Sequence, residues 1–154
     1  MKQFFDTNVL LYQYDGSALL KRQRARERVA SALLDGDFVI STQVMMEFYF
    51  NVTKKFASEI AAEDAQQLLH GWAGDNLVVT LTPQMIVDAA SVRKRHQLSW
   101  WDATIVVAAQ RSGAEVLLTE DMQHDRMIDK LRVENPFLSG VHEQRTRYPG
   151  KRKK

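Results

Sequence analysis

The chain has 154 residues, 45% of them hydrophobic and 26% charged, and no cysteine. That is enough for one domain with its own core, and it rules out a disulfide framework, a thiolate zinc site and a cysteine nucleophile. No apolar run approaches the roughly 18 residues of a membrane span, and the N-terminus lacks the charged-then-apolar layout of a signal peptide, so the expectation is a soluble cytoplasmic domain that does not enter a membrane.

Lys2 to Phe5 reads as a short strand, with Asp6 at its C-terminal end as the apolar run pauses at Thr7-Asn8. Val9 to Tyr14 is a short apolar helix or turn broken at Asp15-Gly16. A longer helix follows from Ala18 to about Leu34, with Ala25, Val29, Ala32 and Leu33 on one face and Lys21, Arg22, Arg24 and Arg28 on a solvated basic face. Phe38 to Ile40 is the next strand, and Ser41 or Thr42 caps a helix reaching about Phe56, with Glu47 in its second turn. The segment after Ser58 is helical to Gly74, Leu77 to Leu81 is a third strand, and Thr82-Pro83 is an N-cap and first-turn proline for a helix ending near His96.

Ser99 and Asp102 fit the S/T-x-x-acid pattern of a helix start, and Ala103 to Gln110 is so uniformly small or apolar that this helix is expected to be buried on more than one side. Gly113 suits its left-handed stop, and Val116 to Leu118 is a strand covered on both faces, with Asp121 just beyond it. A helical turn is expected around Met127-Ile128, then a last strand near Leu131 to Val133, ended by Asn135-Pro136. Strands alternating with helices, with connections too long for hairpins, imply one domain over residues 1–137: a three-layer α/β/α sandwich with a central parallel sheet.

The formal charge of +2 is unevenly placed. Residues 145–154 carry six bases (Arg145, Arg147, Lys151, Arg152, Lys153 and Lys154) and no acid, leaving 15 bases against 19 acids elsewhere. The body is therefore mildly acidic. The segment 138–154, with Pro149 and Gly150 and no apolar periodicity, is expected to be a disordered basic tail, either a solubilising terminus or an electrostatic arm for RNA.

In a parallel sheet, strand C-termini and the N-termini of the following helices share one edge, where such folds bind ligands. Asp6 and Asp121 follow strands; Glu47 and Asp102 lie in early helical turns. Neither Glu47 nor Asp102 has an ion-pair partner three or four positions away, and both lie among large apolar residues, Met45-Met46-Glu47-Phe48-Tyr49 and Trp100-Trp101-Asp102. An unpaired carboxylate there is costly to desolvate, and a cation removes that cost. Taken singly, each acid has a bland account as a cap, a turn former or a solvated loop residue; Glu120, Asp125 and His124 crowd Asp121 and leave open which of them serves with it. Hard oxygen ligands without cysteine or paired histidines point to Mg²⁺ or Mn²⁺, ions that act on phosphates, and hence to phosphodiester hydrolysis.

Phe4-Phe5-Asp6-Thr7-Asn8-Val9-Leu10, Met46-Glu47-Phe48, Ser99-Trp100-Trp101-Asp102-Ala103 and Leu117-Leu118-Thr119-Glu120-Asp121-Met122-Gln123-His124 together resemble the PIN domain, especially the VapC-like toxin ribonucleases. The resemblance spans roughly residues 2–137. It implies Mg²⁺- or Mn²⁺-dependent endoribonuclease activity on RNA, frequent homodimers and a small antitoxin that blocks the site. It makes Asp6, Glu47, Asp102 and Asp121 the catalytic, metal-binding acids, with Thr7, Asn8 and Thr119 as polar supports. Relatives often have glycine where this chain has Asp125. Two other readings compete: a non-catalytic PIN-like module that binds RNA or protein, and an RNA-processing nuclease without an antitoxin. The Trp100-Trp101 pair is expected in the core or in a dimer contact.

Overall fold

The structure, a computed structural model, describes residues 1–138, so the predicted basic tail lies outside the described residues except for Leu138. Twelve elements follow in order: β1 (Gln3–Phe5), α1 (Thr7–Tyr12), α2 (Leu19–Asp35), β2 (Phe38–Ser41), α3 (Thr42–Lys55), α4 (Ala62–Gly74), β3 (Val78–Val79), α5 (Pro83–His96), α6 (Trp100–Arg111), β4 (Val116–Leu118), β5 (Met127–Ile128) and β6 (Leu131–Glu134).

The helix starts follow from side chains that satisfy orphan backbone N–H groups. Ser41 accepts from Val44 N, Thr82 from Met85 N ahead of Pro83, and Ser99 from Asp102 N. Two stops use left-handed residues, Gly36 at φ +72 after α2 and Gln97 at φ +56 after α5. Gly113, one residue past the cap of α6, sits at φ +79, where a side chain would be strained.

The strands form a six-stranded sheet in the order β3-β2-β1-β4-β6-β5. β1 pairs in parallel with β2 and β4, β2 with β3, and β4 with β6. The chain moves outward from β1 to β3, then returns to lay β4 on the other side of β1. This reversal makes the β1/β4 boundary the switch point, where loops leave in opposite directions and open a crevice. Helices α1 to α4 pack on one another, and α5 packs along α6, giving the helical layers that flank the sheet. Phe4, Phe5, Ile40, Leu117 and Leu118 are fully buried. Every residue of α6 from Ala103 to Ala109 is buried as well, and each large aliphatic side chain there contributes roughly 1.5–3 kcal/mol.

Four expectations need correction. Met127-Ile128 is no helical turn: it is β5, antiparallel to β6. Asp125 at φ +64 and Asp129 at φ +54 are left-handed and break a helix on both sides, so the segment forms a hairpin. The sheet is therefore mixed at that edge. The third strand is only Val78–Val79, because Leu81 N is taken by the Thr42 hydroxyl at 3.1 Å and leaves the ladder. The basic side of α2 is not merely solvated: Lys21 pairs with Glu120, and Arg28 Nη1 meets Glu134 at 2.6 Å. Leu33, expected on the inner face, is 44% exposed. Among the described residues no helix is long and apolar enough to cross a membrane.

Candidate active site

Asp6 is the N-cap of α1 and the floor of the site. It is 6% exposed, with Oδ1 accepting from Thr7 N and Oδ2 from the Thr119 hydroxyl, both at 2.7 Å. Burial pushes its carboxyl up to about 7, against the two hydrogen bonds, with the negative charges of Asp121 and Asp102 adding to the rise.

Two threonines carry the arrangement outward. Thr7, whose backbone holds Asp6, donates its hydroxyl to Glu47 Oε2 at 2.7 Å, and Gln43 Nε2 holds Glu47 Oε1 at 2.9 Å from one turn earlier on α3. Thr119, just past β4, donates to Asp6 and accepts from Asp121 N at 3.1 Å. Asp121 itself is exposed, its Oδ2 accepting from Asn8 Nδ2 at 2.8 Å. Asp102 lies in the first turn of α6, where the helix dipole favours a negative charge. Burial nevertheless raises its pKa, a Ser99 hydrogen bond opposes that, and Asp121 adds to it. Hydrogen bonds thus join Asp6, Glu47 and Asp121 through Thr7, Thr119 and Asn8, and Asp102 is coupled to Asp6 and Asp121 by charge.

Among the described residues none of the four acids has a cationic partner, whereas the acids crowding Asp121 do. Glu120 is held by Lys21 and by the Tyr12 hydroxyl at 2.7 Å. Asp125 lies 3.3 Å from His124 Nε2 and 3.5 Å from Arg132 Nη1. His124 is committed on both nitrogens, because its Nδ1 accepts from Asn135 N at 3.0 Å. It braces the hairpin instead of facing the acids. Trp100 is half-buried and packs on the core, while Trp101, the residue before Asp102, is 64% exposed.

The donor set can be tested against a divalent cation. Asn8 Oδ1 and Gln43 Oε1 are buried acceptors without a hydrogen-bond partner, each on a side chain whose amide nitrogen already holds a site acid. The site is thus rich in oxygen acceptors and short of donors, as a hydrated cation requires. Among the described residues no group of three or more acidic or histidine side chains is arranged to hold an ion by itself. Grooves of about 250 Å³ between α5 and α6 and about 290 Å³ between α2 and Pro136–Leu138 are lined by none of the four acids.

Gln43, Tyr12 and Lys21 are the participants that sequence reading did not single out. Gln43 stands four residues before Glu47 and Tyr12 four after Asn8, so helical spacing was the available signal.

The PIN domain family model matches residues 4–130. No curated protein matches the chain. Among solved structures, a toxin–antitoxin complex from Klebsiella pneumoniae is similar, at 21% identity and a TM-score of 0.60, covering 88% of this chain and 98% of that one. DNA-bound VapBC from Salmonella typhimurium and VapBC2 from Rickettsia felis, bound to a DNA fragment from their promoter, are each 18% identical with a TM-score of 0.60, again covering 88% and 98%. These likenesses are of fold. With a family model matched over most of its length, the chain belongs to the PIN domain family.

Proposed function

We propose that the protein is a Mg²⁺- or Mn²⁺-dependent endoribonuclease and the toxin of a toxin–antitoxin pair. One observation carries the catalytic reading: a buried carboxylate, Asp6, tied through Thr7 and Thr119 to two further acids, with no cation among the described residues to neutralise them. Asp6, Glu47, Asp102 and Asp121 would hold the ion. When bound, the ion supplies charge neutralisation of a phosphodiester and a more acidic water.

The rest of the work falls to the chain. Thr119 fixes the Asp6 carboxylate and the Asp121 backbone together, Thr7 aligns Asp6 with Glu47, and Asn8 aims Asp121. The buried Oδ1 of Asn8 and Oε1 of Gln43 remain as hydrogen-bond acceptors beside the acids. With a pKa near 7, Asp6 takes up and releases a proton near neutrality, and its charged form is the one that would hold an ion.

The partner reading is supported by the toxin–antitoxin complexes among the structural neighbours and by exposed apolar side chains beside two of the acids. Met46 is 68%, Phe50 60% and Trp101 64% exposed, flanking Glu47 and Asp102 in sequence. Such residues suit a protein partner, either a small antitoxin or a second copy in a homodimer.

Sequencing RNA ends after inducing the parent and Asp6→Ala tests activity and names the target together. New ends confined to the parent are expected. Identical ends from both would leave a non-catalytic binding module. Harmless overexpression without a neighbouring small reading frame for a DNA-binding protein would favour an RNA-processing nuclease.

A further inference from the structure

The loop after β4 carries two consecutive acids whose surroundings differ. Asp121 Oδ2 accepts from Asn8 Nδ2 at 2.8 Å, whereas Glu120 Oε1 accepts from the Tyr12 hydroxyl at 2.7 Å and Oε2 pairs with Lys21 Nζ. Asn8 and Tyr12 are four residues apart on α1 and so lie on one side of it, one turn from each other. The helix therefore grips the loop at two successive residues. Lys21, in the first turn of α2, lies 4.9 Å from the Tyr12 ring centre and 5.5 Å from that of Phe137. The Tyr12 ring in turn meets Phe137 edge-on at 4.8 Å. The Glu120 side chain is 18% exposed and that of Lys21 40%, so the pair is shielded on the carboxylate side and open to solvent on the ammonium side.

We infer that Tyr12 and Lys21 are positioning residues for Asp121: they clamp Glu120 against α1 and α2, and so turn the neighbouring carboxylate toward Asp6 and Asp102. The inference rests on the proposed cation site. Glu120 is then an anchor and not a ligand. Had Glu120 been a ligand, Lys21 would be a cation competing with the bound ion for the same carboxylate.

The two roles give opposite signs for one substitution. Lys21→Met deletes a positive charge near the site, so with Glu120 as a ligand Mn²⁺ binds more tightly. With Lys21 as a positioning residue the loop loosens and Mn²⁺ binds about 10-fold more weakly, the size usual for groups that orient metal ligands.

The experiment measures free Mn²⁺ by electron paramagnetic resonance in titrations of the full chain. The samples are the parent, Lys21→Met, Tyr12→Phe, Glu120→Gln and the reversed pair Lys21→Glu with Glu120→Lys. Weaker binding in each single variant and recovery in the reversed pair are expected. Tyr12→Phe keeps the ring packed on Phe137 and so reports on the hydroxyl alone if another variant fails to fold. Lys21→Met binding as tightly as the parent, or more tightly, overturns this inference alone, as does a folded reversed pair that stays weak. A parent that binds no Mn²⁺ overturns the cation site, and this inference with it.

Discussion

Asp6 and Asp121 end neighbouring strands, β1 and β4, and share one hydroxyl, yet they inhabit different media. Asp6 is 6% exposed and receives two hydrogen bonds at 2.7 Å, while Asp121 is exposed and held by Asn8 and its own backbone contact to Thr119. The buried acid carries the desolvation cost, and the exposed one faces solvent. A buried, doubly hydrogen-bonded floor and a rim aimed by its neighbours is a division of labour that the proposed cation site would use.

The largest expected effect lies at the floor. Because folding raises the pKa of Asp6 from 3.8 to about 7, the fold favours its protonated form. The associated stability is fully present below pH 3.8, is lost as pH rises through about 7, and stays lost above it. The loss is on the order of 4 kcal/mol. Asp6→Asn should therefore melt about 10 °C above the parent at pH 8 without divalent cation, and the difference should vanish toward pH 4. Mn²⁺ should raise the melting temperature of the parent at pH 8 and leave Asp6→Asn almost unmoved. Melting curves across pH, with and without Mn²⁺, check both signs.

A smaller effect is expected where floor and rim meet. Thr119→Val keeps the shape of a fully buried side chain but removes the donor to Asp6 and the acceptor for Asp121 N. Leaving these groups unpaired costs about 1–3 kcal/mol. Chemical denaturation gives the cost, and it should be smaller in an Asp6→Asn background, where the buried charge is already gone.

The smallest effect lies beyond the rim. Asp125 has φ +64, a conformation glycine adopts freely. Asp125→Gly relieves that strain but loses the contacts to His124 and Arg132, so the net change should stay within about 1 kcal/mol. RNA cleavage should be unchanged. A large loss of cleavage would put Asp125 among the site acids after all.

What could be read from sequence were features written in neighbouring residues. Ser41, Thr82 and Ser99 cap helices because each hydroxyl reaches a backbone N–H three residues on, and Asp6, Asp102 and Asp121 stood out by following a strand or opening a helix, Glu47 by its place in an early helical turn without an ion-pair partner. Strand order was beyond reach: nothing in Val116 to Leu118 says that it lies between β1 and β6. The hairpin of β5 was missed because Met127-Ile128 is too short for its period to declare itself, and its left-handed flanks are aspartates where glycine would have been a clearer signal. The clamp on Glu120 was equally hidden, since Tyr12 and Lys21 stand 108 and 99 positions from their partner. Helical spacing marked Tyr12 as a neighbour of Asn8, but not what it would touch.

Whether the four acids form one cation-dependent site is read most directly from RNA cleavage. Purified parent, Asp6→Ala and Asp102→Ala, each shown to be folded, should be given single-stranded RNA first with a chelator and then with Mn²⁺ in excess. Cleavage by the parent in Mn²⁺ alone, with both variants losing at least about 100-fold, is the predicted result. Variants that cut as fast as the parent, or a parent equally active in chelator, would contradict it.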